Sequence, residues 1–268
     1  MRKSCNIFVL AVGIVVISGC ATRDAGPGAE QTPAQALHPA TGYAYPLEQP
    51  TAEEQAGVSL RFNFTKALRY KDEVLGDSSV GKRKSGEFDK RSDVTFMPTE
   101  NSDLFIKKIG SDSQEWNSRG SLLKIIPGVA KNNVTTAVED TGFLPESPVK
   151  IGDTWIQHLS RESTNIAIGL TATLNANTSW KFVGVTIVRT HRCVVLEGNE
   201  VAQDMSEDPT GIRDIEKTAR NVCYFDQHLG GIVESAYISN TDIKVSLTKS
   251  KRVIDRKAQG QDILTLVE

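Results

Sequence analysis

The most informative reactive group of this 268-residue chain is the thiol of Cys20, because of the residues that precede it. The chain begins with positive charges at Arg2 and Lys3, continues with an apolar run over residues 7–17, and reaches the small pair Ser18-Gly19. This order predicts a secretory signal that is cleaved next to Cys20. The run is about 11 residues long, which is too short for the roughly 20 residues of a membrane-spanning helix.

The segment Ile17-Ser18-Gly19-Cys20 resembles the lipobox of bacterial lipoproteins. In that family the cysteine thiol receives a diacylglycerol, the chain is cut before the cysteine, and the new amino group is acylated. The resemblance implies that Cys20 is the lipidated residue and that a lipid, with palmitate among its acyl chains, anchors the protein to a membrane. Ala21 is not the aspartate that retains such proteins in the inner membrane, so the resemblance implies the outer membrane, facing the periplasm. The alternative is an ordinary signal peptide with an accidental cysteine.

Cys193 and Cys223 are the two cysteines that remain in the body of the protein. An even pair in an exported protein favours a disulfide, since the environment is oxidising. Such a bridge would stabilise the fold by about 3–4 kcal/mol in the chain-entropy model. No CxxC or HxxxH spacing accompanies the pair, so we do not expect zinc. The alternative is two buried free thiols.

Other candidate catalytic or metal-binding patterns are weak. Gly76-Asp77-Ser78 follows an apolar pair in the manner of one esterase nucleophile block, but we interpret Gly76–Ser79 as a turn, and no GxSxG motif occurs. His158, His191 and His228 lack metal-ligand spacing, and the acidic stretch 204–214 lacks a calcium-loop pattern, so we interpret it as a loop. We therefore expect no enzyme activity, no metal and no cofactor.

Composition limits the possible partners. The chain has a net charge of −2, and removal of residues 1–19 takes away two positive charges, which leaves −4. This acidic balance argues against a general nucleic-acid binder, which needs a basic surface. The 39% hydrophobic and 24% charged residues are typical of a soluble globular domain.

The chain divides into three parts. Residues 1–19 form the signal, and residues 20–56 form a lipidated, flexible tether rich in Pro and Ala, because this composition cannot bury enough apolar surface to fold. Residues 57–268 form the β domain. The first predicted strand is the alternating segment Val58–Phe64. Short apolar segments separated by turn residues recur about every 10 residues, which predicts a mainly β protein with a large curved antiparallel sheet or half-barrel and few or no long helices after the signal.

The segment 144–155, with its Pro-Val-Lys-Ile-Gly-Asp-Thr-Trp run, resembles exported bacterial β-proteins of uncharacterised function. In those proteins, as here, a hairpin with a Tyr-Phe-Asp and Gly-Gly-Ile-Val pattern follows, which corresponds to residues 224–233. The resemblance implies a curved antiparallel sheet and no catalytic residues. Within the motif, Gly152 and Asp153 predict a tight turn with positive φ at the glycine. Trp155 then begins a strand, where we expect it to close the end of the core, with ligand stacking as the alternative.

Two roles fit these features besides an unrecognised enzyme. The first is a non-catalytic envelope protein that binds a partner or supports an assembly. The second is a carrier or sensor of an apolar ligand, such as an acyl chain. A carrier requires an open concave face of several hundred Å³, lined by Ile166, Ile168, Leu170 and Phe182. A partner-binding protein requires that face to be filled, with an apolar patch exposed elsewhere, and an enzyme requires polar groups with shifted pKa values that converge in a cleft.

Overall fold

A computed structural model describes residues 43–81, 83–126, 133–165, 170–208, 211–247 and 252–267. Cys20, the signal and the tether up to residue 42 lie outside this part, as do Ile166 and Ile168. The described chain contains one short helix and twelve strands, in agreement with the predicted mainly β class. The elements are α1 (Ala52–Ala56), β1 (Leu68–Val80), β2 (Arg83–Pro98), β3 (Leu104–Ile109), β4 (Asp112–Asn117), β5 (Leu122–Ile126), β6 (Asn133–Asp140), β7 (Thr154–Asn165), β8 (Leu170–Val188), β9 (His191–Asp208), β10 (Gly211–Asp226), β11 (Gly231–Leu247) and β12 (Arg252–Val267).

All twelve strands belong to one antiparallel sheet, in the order β5-β4-β3-β2-β1-β12-β11-β10-β9-β8-β7-β6. The sheet curves so far that its two outer strands, β5 and β6, contact each other. The side chain of Asp140 on β6 joins these two edges at one point: its Oδ2 accepts a hydrogen bond from the backbone N–H of Leu122 on β5 at 3.0 Å. The prediction of a large curved antiparallel sheet is therefore confirmed, and the sheet is nearly closed.

The strands are unequal in length: β3, β4 and β5 are short, whereas β8 to β12 are long. The short strands are present in only one half of the sheet. We call the end at Leu68, Phe96 and Asp226 the near end, and the end at Val80 and Arg83 the far end. The ladder between β2 and β3 runs only from Val94 to Pro98. Residues 83–93 of β2 therefore have no ladder on that side within the described chain. We call this gap beside the far part of β2 the side opening.

Residues 58–64 form a plug inside the near end, not the predicted first strand. The alternation is real, because Val58, Leu60, Phe62 and Phe64 are buried. The backbone, however, is bound at scattered points: Val58 bonds Val149 in both directions, the Phe62 N–H donates to Ser118 O at 2.8 Å, and the Asn63 N–H donates to Gly230 O at 3.0 Å. These acceptors lie in loops on different sides of the near end, so the segment crosses the near end from one side to the other.

Residues 43–56, assigned from composition to the flexible tether, pack against the sheet, and we call them the strap. Tyr43 and Tyr45 cover an outer apolar cluster, and Glu48 pairs with Val185 through an isolated bridge. The domain therefore includes residues that the predicted boundary at 57 excluded. The composition argument failed here because two tyrosine hydroxyls and one backbone hydrogen bond hold the strap to residues about 140 to 190 positions away.

A predicted turn and a predicted loop are largely parts of strands. Gly76–Ser79 lies within β1, and the ring of Phe88 occupies the space where a side chain at residue 76 would project. Glycine is needed there for close packing of an aromatic ring and not for a turn. The acidic stretch 204–214 falls largely on the paired ends of β9 and β10.

Candidate functional site

The predicted disulfide is absent from the structure, where Cys193 and Cys223 are buried free thiols. Cys223 on β10 lies opposite Leu196 on β9, three residues from Cys193. Because side chains alternate between faces along a strand, this odd spacing places the two thiols on opposite faces of the sheet. Cys223 packs in the inner core and Cys193 in the outer cluster under the strap.

Gly152 and Asp153 form a turn before β7. Gly152 has φ 97°, and its N–H donates to Phe182 O at 2.7 Å. The carboxylate of Asp153 accepts from the Lys150 N–H at 2.8 Å. The turn therefore ties the motif to β8 by backbone contacts and carries no free reactive group.

Trp155 is half-buried against the inner core at the start of β7. It lies directly opposite Trp180 of β8, and its indole N–H donates to Phe143 O at 2.7 Å. Phe143 in turn contacts Phe62 of the plug. These contacts place Trp155 in the packing that closes the near end.

His191, Cys193 and Asp226 lie together at the near end. His191 Nδ1 is 2.8 Å from Asp226 Oδ2, and the Cys193 Sγ contacts the His191 carbonyl oxygen at 3.6 Å. A cysteine beside a His-Asp pair is the set of residues found in active sites that use a cysteine nucleophile, and such a nucleophile reacts as the thiolate. Burial, with a contribution from the charge of Asp226, raises the pKa of Cys193 to about 12. This thiol therefore stays protonated at neutral pH.

A layer of polar side chains lines the inner face of the sheet beyond the aromatic core. We call it the polar layer. It consists of Asp72 on β1, Glu200 on β9, Lys217 and Asn221 on β10, Tyr237 and Thr241 on β11, and Asp262 on β12. Pairing brings its members side by side: Asn221 lies opposite Tyr237, and Tyr237 lies opposite Asp262. Directly opposite residues share one face, with Cβ atoms about 5 Å apart.

The centre of the polar layer is a buried ion pair. Lys217 Nζ is 3.1 Å from Glu200 Oε1, and both side chains are less than 8% exposed. The Tyr237 hydroxyl donates to the same carboxylate oxygen at 2.7 Å, and the Lys217 ammonium lies 4.8 Å from the Tyr237 ring centroid. Burying two charges costs several kcal/mol per ion before their attraction offsets it, so this pair is a poor choice for stability alone.

Asp262 extends the polar layer towards the side opening. Burial, and then the neighbouring carboxyl of Asp72, raise the pKa of Asp262 to about 8, although Lys107 and Lys217 oppose the shift. Two close carboxyls cannot both ionise freely, so Asp262 holds its proton at neutral pH. Both aspartates are half-buried by surface area.

Two polar atoms of the polar layer have no hydrogen-bond partner among the described residues. They are Oδ1 of Asn221 and Oγ1 of Thr241, and both atoms are buried. Most buried polar side-chain atoms have a partner, so each exception requires an explanation. Sequence reasoning missed this layer because its members are spread over five strands. The only signal was polar residues at inward positions of otherwise alternating strands.

Other candidate features of the described chain are modest. No group of three or more His, Cys, Asp or Glu residues within it could hold a metal. None of its helices is long and apolar enough to cross a membrane. A pocket of about 110 Å³ lies beside the plug, between Phe62, Phe64 and the loop after β2.

No family model matches the chain, and no curated protein matches it. The solved structures that are similar to the chain include two that cover most of it. The crystal structure of the hypothetical lipoprotein YmcC from Escherichia coli (K12) is 17% identical, covers 81% of this chain and 87% of its own, and has a TM-score of 0.36. The loop L8 deletion mutant of OmpT, an outer membrane protein of Vibrio cholerae, is 7% identical, covers 75% of this chain and 99% of its own, and has a TM-score of 0.21. At these scores neither similarity carries a functional argument.

Proposed function

We propose that this protein is an envelope lipoprotein, anchored through Cys20 in the outer membrane and facing the periplasm, whose β domain binds a partner or supports an envelope assembly without catalysis. The filled interior of the near end is the observation that carries the partner-binding role. A carrier of an apolar ligand needs that concave space open, whereas a scaffold needs it packed.

The near end is filled by aromatic rings. Phe62 of the plug has its ring centroid 4.9 Å from that of Phe105 and 5.5 Å from that of Phe225. Phe182, which the carrier hypothesis places on an open lining, is fully buried in this core. The pocket beside the plug, about 110 Å³, is smaller than ligand pockets of about 300–1,000 Å³. This packing favours a rigid binding module.

The chemistry of the near end supports a non-catalytic role. The Cys193 thiol beside His191 and Asp226 is buried, and its raised pKa of about 12 keeps it from acting as a nucleophile. His191 is held by Asp226, whose other oxygen caps the N–H groups of His228 and Leu229 at 2.7 and 3.1 Å. The Asp-His pair therefore supports the β10–β11 turn.

The strap sets the distance between the domain and its anchor. Because residues 43–56 are bound to the sheet, the flexible tether that composition predicts after Cys20 is reduced to residues 21–42. A flexible linker of that length has a root-mean-square reach of about 23–28 Å. The domain would thus remain within about its own radius of the membrane surface, where partners anchored in the same membrane are accessible.

The experiment has two parts. Radiolabelled palmitate should enter the wild-type protein and not Cys20→Ala, and the label should fractionate with the outer membrane. A photo-crosslinking residue at Val201 or Val253, whose side chains are 58% and 62% exposed, should then capture an envelope protein in the native membrane. The matched control places the crosslinker at buried Val195. Equal labelling of wild type and variant contradicts the anchor, and monomer alone at both exposed sites contradicts the partner-binding role.

The carrier of an apolar ligand remains the alternative. It would use the lining predicted from the sequence at Ile166, Ile168 and Leu170, of which Ile166 and Ile168 lie outside the described residues. Native mass spectrometry of the protein purified from membranes distinguishes the two roles, because a carrier retains a stoichiometric acyl ligand in addition to the covalent lipid on Cys20.

A further inference from the structure

We propose that the polar layer is a binding site for a small organic cation with a protonated amine, which reaches it through the side opening. This inference is independent of the lipid anchor and of the proposed partner. Its basis is a surplus of hydrogen-bond acceptors in a place that a ligand can reach.

Two buried oxygen atoms of the polar layer have no hydrogen-bond partner among the described residues. They are Thr241 Oγ1 and Asn221 Oδ1, and Thr241 is only 4% exposed. Asn221 shares a row with Tyr237, whose hydroxyl already donates to Glu200. A bound primary ammonium has three N–H donors and no acceptor, which is the complement of these groups.

The polar layer holds a proton that an ammonium ion can replace. It contains three carboxyl groups, and Lys107 and Lys217 act on Asp262. A third cation, Lys90, lies in the inward row of Asp262, because both residues are opposite Val74 of β1. Burial and a neighbouring carboxyl keep Asp262 protonated at neutral pH, so an incoming ammonium would replace that proton without changing the net charge of the layer.

Short side chains and one exposed aromatic ring line the route from the side opening to the polar layer. The row above Asp262 contains Gly260, Ser239 and Ala219 on neighbouring strands. Phe88, from the strand that borders the side opening, projects over Gly76 and Gly260 and is 38% exposed. An aromatic ring that is inside the sheet and still exposed shows that solvent reaches this level, and its face offers a cation–π contact.

The test uses methylammonium and tetramethylammonium, which have equal charge, but only the first has N–H donors. Thermal unfolding of the full protein is followed at pH 7 and constant ionic strength. Methylammonium should raise the midpoint with a saturating dependence on concentration, and tetramethylammonium should act no more than sodium. Asp262→Asn and Thr241→Val should each weaken methylammonium binding by about tenfold, the size of one lost hydrogen bond to a charged group.

The matched control is Asp242→Asn, which removes an exposed carboxylate from the outer face next to Thr241. It should bind methylammonium as the wild type does, and circular dichroism should show that every variant is folded. Equal effects of the two ammonium ions, or unchanged binding in both inner-face variants, would each overturn the proposal.

Discussion

Cys193 and Cys223 lie on adjacent strands and on opposite faces of one sheet. Cys223 faces Leu196 across the ladder and packs among the aromatic rings inside, whereas Cys193, three residues from Leu196, packs outside under the strap. A bridge would require β9 to slip by an odd number of residues, which would turn its buried side chains to the wrong face. The register that buries Leu196 therefore separates the thiols.

Both thiols should be unreactive in the folded protein and reactive after unfolding. Burial raises the pKa of each well above that of a free cysteine. We expect iodoacetamide at pH 8 to modify neither residue in buffer and both in guanidinium chloride, as counted by intact mass. A linked peptide that contains residues 193 and 223 in a non-reducing digest would contradict the register.

Gly230→Ala should destabilise the protein much more than Gly110→Ala. Both glycines have similar positive φ, 66° and 58°, so the backbone penalty is matched at about 1–2 kcal/mol. A Cβ at 230 would lie 2.6 Å from the backbone oxygen of Asn63 in the plug, whereas one at 110 meets nothing within 4 Å. The difference in the free energy of unfolding, measured in urea, should exceed about 1 kcal/mol. Equal losses of unfolding free energy in the two variants would show that the turn at Gly230 is not packed against the plug.

Glu54→Gln should loosen the strap at neutral pH and not in acid. The Arg192 guanidinium bonds both oxygens of Glu54 at 2.8 Å and holds the pKa of Glu54 below its usual value. The unfolded chain has a Glu pKa of about 4.3, and above that pH the ionised carboxylate of Glu54 stabilises the folded state in full. This stabilisation is lost as the pH falls through the lower pKa of the folded protein. We expect a cost of about 1–2 kcal/mol at pH 7.

Hydrogen exchange of the Glu48 and Gln55 amides reports on the strap, since both are bonded in the backbone. The control is Asp93→Asn, which breaks the exposed Lys71–Asp93 pair and should change stability by less than about 1 kcal/mol. If Glu54→Gln accelerated exchange equally at pH 7 and below pH 3, the ion pair would not be the cause.

Asp262→Asn should make the protein more stable at pH 8. The folded pKa of Asp262 is raised to about 8, while the unfolded value is about 3.9. The folded state therefore binds a proton that the unfolded state has lost, and stability falls as the pH rises from about 4 to 8, by at most about 1.4 kcal/mol per pH unit. Urea unfolding at pH 5, 6, 7 and 8 should show this slope in wild type and a flatter one in the variant. A slope that persists in the variant would assign the proton to another group.

The alternation at Val58, Leu60, Phe62 and Phe64 shows what a pattern can predict. Period two correctly indicated an extended segment with one buried face. It could not indicate whether that segment pairs in a ladder, because the burial pattern is the same for a strand and for a plug inside the sheet. The acceptors that hold it, at Ser118 and Gly230, are distant in sequence.

The strap illustrates the opposite failure. Pro- and Ala-rich composition predicted a free tether, yet the Tyr43 hydroxyl donates to Glu197 at 2.6 Å and the Tyr45 hydroxyl to Glu234 at 2.9 Å. Composition measures the average ability to bury surface, and two aromatic anchors are enough to override it locally. The same limit hid the polar layer, whose carboxylates and lysine come from separate strands.

The amino-acid order alone determined the mainly β class, the turn at Gly152-Asp153 and the expectation of a lipid at Cys20, because each depends on neighbouring residues. The three-dimensional arrangement decided which face each cysteine occupies, what fills the near end, and which charges meet inside. These properties depend on strand register and curvature, and register is set by pairing partners far along the chain.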